Sequence, residues 1–370
     1  MLVAAGQTSS ITDRIKQMHP SVLIKVSAVV SALLLQATAA STTALAQSQP
    51  PLVIASYAGE SARLWKQAVA DPFTKETGIP TAIFESPLPS ASVASAQGQP
   101  QFHAAIIGAY QVPNIESQIE QLTPDDVPNI KEIPEKYWVR TSSGKLAGVP
   151  IYFSYLGIAY NTDLAKATDF TSWKDLAAPK WKDRISISRP VFVAAYDLTL
   201  YAKLAGGDEN DVKPGIDLLS RIAGNALNVY TSMASVQAQL GRGEVAATPF
   251  YSTQIILLRR AGVTNVDMTT PKEGGLLLSY LLVIPKGAKN LEGAKKLLNA
   301  VIKPDYQLRL AEGGIWPLNP NAKLTPELEK QMGGTLEDAM ARNYAPNWYT
   351  VGKANPERTR LVEDVIEKSR

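Results

Sequence analysis

The sequence contains no cysteine in 370 residues. That absence excludes disulfides, thiolate metal sites, iron–sulfur clusters and a cysteine nucleophile. It also excludes a lipoprotein, whose lipid anchor requires a Cys. Histidine is almost as scarce, with only His19 and His103 present, so no cluster of imidazole and thiolate metal donors can form. Net charge is low, at +3 from 37 Lys+Arg and 34 Asp+Glu. The basic residues are scattered, which leaves no footprint for a nucleic acid. The GxxxxGK[ST] phosphate loop, the GxGxxG fingerprint and the GxSxG elbow are all missing. A Ser–His–Asp triad would have to use His103. That residue opens an apolar run, Gln101-Phe102-His103-Ala104-Ala105-Ile106-Ile107, and reads as a hydrogen-bonded strand-entrance histidine. No catalytic residue, metal or cofactor is therefore assigned.

What is present is apolar. Hydrophobic residues make up 45% of the chain and charged ones 19%, enough for a large core and incompatible with a disordered chain. The length exceeds the roughly 100–200 residues of one domain, so two lobes are expected. Ser27–Ala40 is an apolar stretch preceded by Lys16 and Lys25 and followed by the small-x-small site Ala44-Leu45-Ala46. It is too short for a span of about 18–20 apolar residues and fits a cleaved signal peptide over 1–46. Its removal takes away His19 and brings the net charge to about +1. The mature protein is expected to be exported, unlipidated and periplasmic.

Short apolar runs predict strands at Leu52–Ser56, Thr81–Glu85, Ala104–Ala109, Gly157–Tyr160, Arg184–Ser188, Asn228–Thr231, Val245–Phe250 and Leu276–Ile284. Helical stretches lie between them. Ser61–Glu76 is one, with a kink or restart expected at Asp71-Pro72 and a stop at Gly78. Asn290–Ile302 is the clearest, with Leu291, Ala294, Leu297, Leu298, Val301 and Ile302 on one stripe and Pro304 ending it. Ser86–Pro100 reads as a loop or frayed helix start, and Leu324–Arg370 as helical, with Trp348 and Tyr349 lining a cleft or docking the tail. The alternation predicts an α/β fold with mostly parallel sheets. In such sheets ligands collect at the carboxyl ends of strands. The residues there are Tyr57, Gly59 and Glu60, then Tyr110, Arg189, Thr231, Ser232 and Tyr251, with Tyr280 inside the last strand.

At these residues the chain resembles the periplasmic spermidine/putrescine-type substrate-binding proteins of ABC importers, within the extracellular solute-binding family. The resemblance rests on several stretches in order. They are Asp71–Ile79, Gly148-Val149-Pro150 leading to Gly157–Asn161, Thr171–Leu176 with Pro179–Lys182, Gly243-Glu244-Val245, Pro271–Gly275, Ile284–Ala288 and Trp316–Pro320. It implies a type II-like two-lobe fold hinged near Ser154 and Ser279. Lobe 1 would hold 47–154 and about 280–318, and lobe 2 would hold 155–278 and about 319–370. It also implies a monomer that delivers a small molecule to an inner-membrane ABC permease with its ATPase.

Carried over by position, the family's cleft loop falls on Tyr57–Glu60, and its cleft aromatics fall on Tyr110 and Tyr251. The chain departs from the polyamine binders at Tyr280, where they carry a key Asp, and at Leu278, where they carry Trp. It departs again at Ser188-Arg189-Pro190, where they are acidic. Such a cleft suits a dication poorly, because two ammoniums would be desolvated without compensation. The expected ligand carries a carboxylate, phosphonate or similar group, held by Arg189, tyrosine hydroxyls and helix-start amides, with Glu60 open to an amine. Relatives of similar appearance take opines or aminoalkylphosphonates. Polyamine binding, a periplasmic sensor lobe and an exported enzyme on the same fold are the alternatives.

Overall fold

The longest strand explains the architecture. β4, Val149–Asn161, is buried along its whole length. Its first half pairs antiparallel with β9, Leu276–Val283, and its second half with β7, Ala247–Tyr251, and β8, Val266–Thr269. On one side of this centre lie β1, Leu52–Tyr57, β2, Thr81–Ser86, and β3, Ala104–Gly108, with β1 parallel to both neighbours. On the other lie β5, Ile185–Ser188, and β6, Ala226–Tyr230, again parallel, with β5 also parallel to β7. The short β10, Trp316-Pro317, pairs with β4. The strand order is thus β2-β1-β3-β9-β4-β7-β5-β6, with β8 and β10 attached to β4. Pairing is parallel in the two wings and antiparallel in the middle, where β4 and β9 run from one wing to the other.

These relations are seen in a computed structural model, which describes residues 50–190 and 195–370; the expected signal segment lies outside them. Pro51–Arg370 pack as one unit. Among the described residues no helix is long and apolar enough to cross a membrane.

The parallel wings read as unbroken apolar runs because both faces are covered. Leu52 and Ile54 of β1, with Ala104 and Ile106 of β3, enter one apolar cluster, while Ala55, Ala105 and Ile107 enter another on the opposite face. The covering helices, in chain order, are α1 Glu60–Trp65, α2 Asp71–Thr77, α3 Pro89–Ser95, α4 Val112–Ile115, α5 Ala195–Leu204, α6 Ile216–Gly224 and α7 Met233–Gly241. They continue with α8 Ser252–Arg260, α9 Leu291–Val301, α10 Pro304–Glu312, α11 Pro326–Met332, α12 Leu336–Arg342 and α13 Trp348–Ser369.

Between α1 and α2 the backbone takes a π turn at Lys66–Ala70. This is the restart expected at Asp71-Pro72, set one turn earlier, because the proline ring crowds the carbonyl four residues before it. Gly78 closes α2 in the left-handed region at φ 73°. Asn290 caps α9 by accepting from the Gly293 amide at 2.9 Å. Helix α13 packs on α5 and α6 and also on α4 and the 3-10 turn Ala109–Gln111, so it touches both wings.

His103 sits where its sequence position suggests. Its backbone amide donates to the Val53 carbonyl at 2.7 Å, and its Nδ1 accepts from the Val53 amide at 3.0 Å. Burial, and then the Lys289 ammonium, hold the imidazole below its ordinary value. A lowered folded value means that the unfolded chain takes up the proton first as pH falls. The contribution is full above the ordinary histidine value of about 6.5 and is lost below it. His103→Gln keeps an acceptor without a titration. The melting-temperature gap between wild type and this variant should therefore narrow between pH 7.5 and 5. Curves that stay parallel would show that His103 is not coupled to folding.

Candidate functional site

Three strand ends, two crossing strands and one helix bring six tyrosines together. Tyr57 ends β1, Tyr110 follows β3, and Tyr251 ends β7. Tyr280 lies in β9 opposite both Gly108 of β3 and Tyr152 of β4. Tyr196 comes from the first turn of α5. The Tyr152 and Tyr280 rings stack at 4.5 Å and 16°. Tyr110 packs on Tyr196 at 4.9 Å, and Trp348 of α13 closes behind both, at 6.3 Å and 5.8 Å. Gly108 makes this possible, since a Cβ there would lie 2.4 Å from Cε1 of Tyr110.

Burial is the first cause that raises the ionisation of all six phenols, and neighbouring tyrosines add to it for five of them. No carboxylate is among the groups that shift Tyr57, Tyr110, Tyr152 or Tyr280. The cluster is thus a set of neutral hydroxyls, each a donor as well as an acceptor at any physiological pH. Tyr57, Tyr110, Tyr251 and Tyr280 keep part of their surface exposed, as lining residues do.

Beside the cluster lies a cavity of about 780 Å³ walled by Tyr152, Ser154 and Tyr280, with α1 on one side and α8 on the other. Three arginines, Arg63, Arg260 and Arg309, and two glutamates, Glu60 and Glu312, also line it.

The other residues predicted from sequence have different surroundings. Gly59 precedes α1 at φ 73°, and its amide donates to Glu85 Oε2 at 3.0 Å. Glu60 is exposed and ion-paired with Arg63. Arg189 is exposed at the end of β5, its amide donating to the Tyr230 carbonyl at 3.2 Å. Thr231 and Ser232 are exposed at the adjoining end of β6, and the Ser232 hydroxyl caps α7 by accepting from Ser235 at 3.1 Å. These three do not line the cavity.

Two cluster members were not anticipated. Tyr152 lies in the part of β4 before Gly157, where Pro150 hides the strand pattern. Tyr196 sits on a helix rather than at a strand end. Trp348 docks its Nε1 on the Leu277 carbonyl at 3.0 Å, and Tyr349 donates to Glu116 at 2.6 Å.

Two α/β wings joined by crossing strands, with an aromatic cleft at the strand ends, define a two-lobe solute receptor. Residues 68–333 match the family described as bacterial extracellular solute-binding protein, and the chain belongs to that family. It is a substrate-binding component of an ABC transporter for small solutes. The spermidine/putrescine-binding periplasmic protein of Salmonella typhimurium is 26% identical over 289 residues, covering 76% of this chain and 80% of the relative. The putative 2-aminoethylphosphonate-binding periplasmic protein of the same organism is 23% identical, covering 77% and 82%. A crystal structure of a putative extracellular solute-binding protein from Bordetella parapertussis superposes with a TM-score of 0.73 at 19% identity, over 88% of this chain and 99% of that one.

Proposed function

We propose that this receptor captures a small organic solute bearing an anionic group, such as a phosphonate, an opine or an amino-acid derivative, and hands it to its permease in the periplasm. One observation carries the reading: neutral phenols converge, and no carboxylate is among the groups that shift Tyr57, Tyr110, Tyr152 or Tyr280, while the two glutamates that share the cavity lining are ion-paired (Glu60) or exposed (Glu312). Neutral hydroxyls stabilise an anion by donating to it, whereas a desolvated ammonium needs a compensating negative charge. Glu60, the carboxylate first expected to meet an amine, is already engaged by Arg63. The relative named for 2-aminoethylphosphonate is consistent with this ligand class.

Tyr57, Tyr110, Tyr251 and Tyr280, joined by Tyr152 and Tyr196, form the floor of the site. Arg189, Thr231 and Ser232 stand at its rim on β5 and β6, and Gly59 and Glu60 stand at the opposite rim. We take lobe 1 as 47–154 with about 280–318 and lobe 2 as 155–278 with about 319–370, the helix α13 touching both wings. The hinge falls where β4 and β9 cross, with Phe153 opposite Ser279 and Ser154 opposite Leu278. The protein acts as a monomer and leaves its ligand chemically unchanged.

Calorimetric titration with 2-aminoethylphosphonate, an opine, spermidine and putrescine tests the reading. Heat is expected from the anionic or zwitterionic compounds and none from the two polyamines. Arg189→Ala should weaken the anion about tenfold or more, the scale of one charge-assisted hydrogen bond. Tight binding of either polyamine sinks the proposal, and an unchanged affinity removes Arg189 from the site.

A further inference from the structure

The cavity that opens beside Tyr152 and Tyr280 has a second, cationic end. Arg63 is neutralised there by Glu60. Arg260, at the end of α8, is not: its Nη2 donates to the Glu312 carbonyl at 2.5 Å and to Gln331 Oε1 at 3.3 Å, both uncharged acceptors. Arg309, in the last turn of α10, reaches Asp305 with Nη2 at 3.3 Å and lies over the Tyr306 ring at 5.1 Å. Its Nη1 is buried without a hydrogen-bond partner. The two carboxylates in the lining do not fill this gap: Glu60 is engaged by Arg63, and the ion pair of Arg309 is with Asp305 rather than with Glu312.

A buried cationic donor left unsatisfied is costly, and native proteins rarely keep one without a use. Asp305 accounts for the Nη2 side of Arg309 but leaves Nη1 without a hydrogen-bond partner. A guanidinium fork is matched in shape and charge by a carboxylate or phosphonate. Tyr152 and Tyr280 wall the same cavity as Arg260 and Arg309, so one elongated ligand can touch both ends.

We infer that Arg309 and Arg260 form an anion subsite and that the transported solute carries a second acidic group, set apart from the one held at the tyrosines. This rests on the anionic-solute reading above and narrows it to two-ended organic acids.

Linear dicarboxylates of four to nine carbons, each titrated against the monocarboxylate of equal length, scan the separation of the two ends. At the matching length the dicarboxylate is expected to bind about tenfold or more tighter, the scale of one charge-assisted contact. Arg309→Gln should erase that advantage, and Arg309→Lys, which keeps the charge without the fork, should restore part of it. The ligand-free melting temperature of Arg309→Gln should stay near that of wild type, because the Asp305 partner is largely exposed. A dicarboxylate advantage at no length, or one that survives in Arg309→Gln, overturns the subsite. If monocarboxylates or 2-aminoethylphosphonate bind and dicarboxylates bind no better, only the second subsite falls. If spermidine binds and no acid does, the anionic-solute reading falls with it.

Discussion

Tyr280→Asp is expected to destabilise the protein by roughly 2–4 kcal/mol at neutral pH. Two losses combine. The ring stacked on Tyr152 at 4.5 Å disappears, and a stacked aromatic pair is worth about 0.5–1.5 kcal/mol beyond its area. A carboxyl then occupies a place where burial already raises the ionisation of the phenol. Burial raises the folded value of the new Asp above its unfolded value, because the charged form is the one desolvated. A raised folded value means that the variant is relatively best at acid pH and loses stability as pH rises through that value. The penalty against wild type, read from melting curves, should therefore be larger at pH 8 than at pH 5.

The same substitution tests what the position selects. The resemblance to the polyamine binders implies an Asp at the place of Tyr280. In the variant, spermidine can offset the buried negative charge, so it should raise the melting temperature of Tyr280→Asp and leave wild type unmoved. A variant as stable as wild type at pH 8 would show that the site is wetter than its burial implies. A wild type stabilised equally by spermidine would remove Tyr280 as the selecting residue.

The wings were legible in the sequence for a simple reason. β1 and β3 are covered on both faces, so Leu52–Tyr57 and Ala104–Gly108 read as unbroken apolar runs. β8 escaped notice because Val-Asp-Met-Thr carries little apolar signal, and it becomes a strand only by pairing with β4. β4 was recognised from Gly157 onward and not from Val149. The antiparallel centre, where mostly parallel sheets were expected, is hidden for the same reason, because its pairings all use β4 or β9.

The site divides in the same way. Tyr57, Tyr110 and Tyr251 could be found because strand ends can be located from apolar runs. Glu60 and Arg63, three residues apart, already had helical-pair spacing. The partner of the Gly59 amide was not accessible, since Glu85 reaches it only through the parallel pairing that sets Ser56 beside Glu85. Arg260 and Arg309 belong to no motif and are brought together by the packing of α8 and α10 around one cavity.

Gly352→Ala should lower both stability and ligand affinity, because the C-terminal helix meets the site at that residue. An added Cβ would lie 1.9 Å from the Tyr110 carbonyl oxygen, 2.8 Å from its carbon and 3.1 Å from Cδ of Pro113. Two of these atoms are backbone, so the helix or the Ala109–Gln111 turn has to move. Overpacking of this kind costs about 1–3 kcal/mol or more. The better helix propensity of Ala returns at most about 1 kcal/mol. The net loss should appear as a fall of several degrees in melting temperature. Movement of Tyr110 also separates its ring from Tyr196, 4.9 Å away, and from Trp348, so affinity for the captured solute should weaken in the same variant. Gly241→Ala is the control: it lies in α7 with nothing near the added Cβ, and should be neutral or slightly stabilising. A Gly352→Ala protein that melts with wild type would refute the close approach. One that melts lower but binds as tightly would show that α13 braces the fold without setting Tyr110.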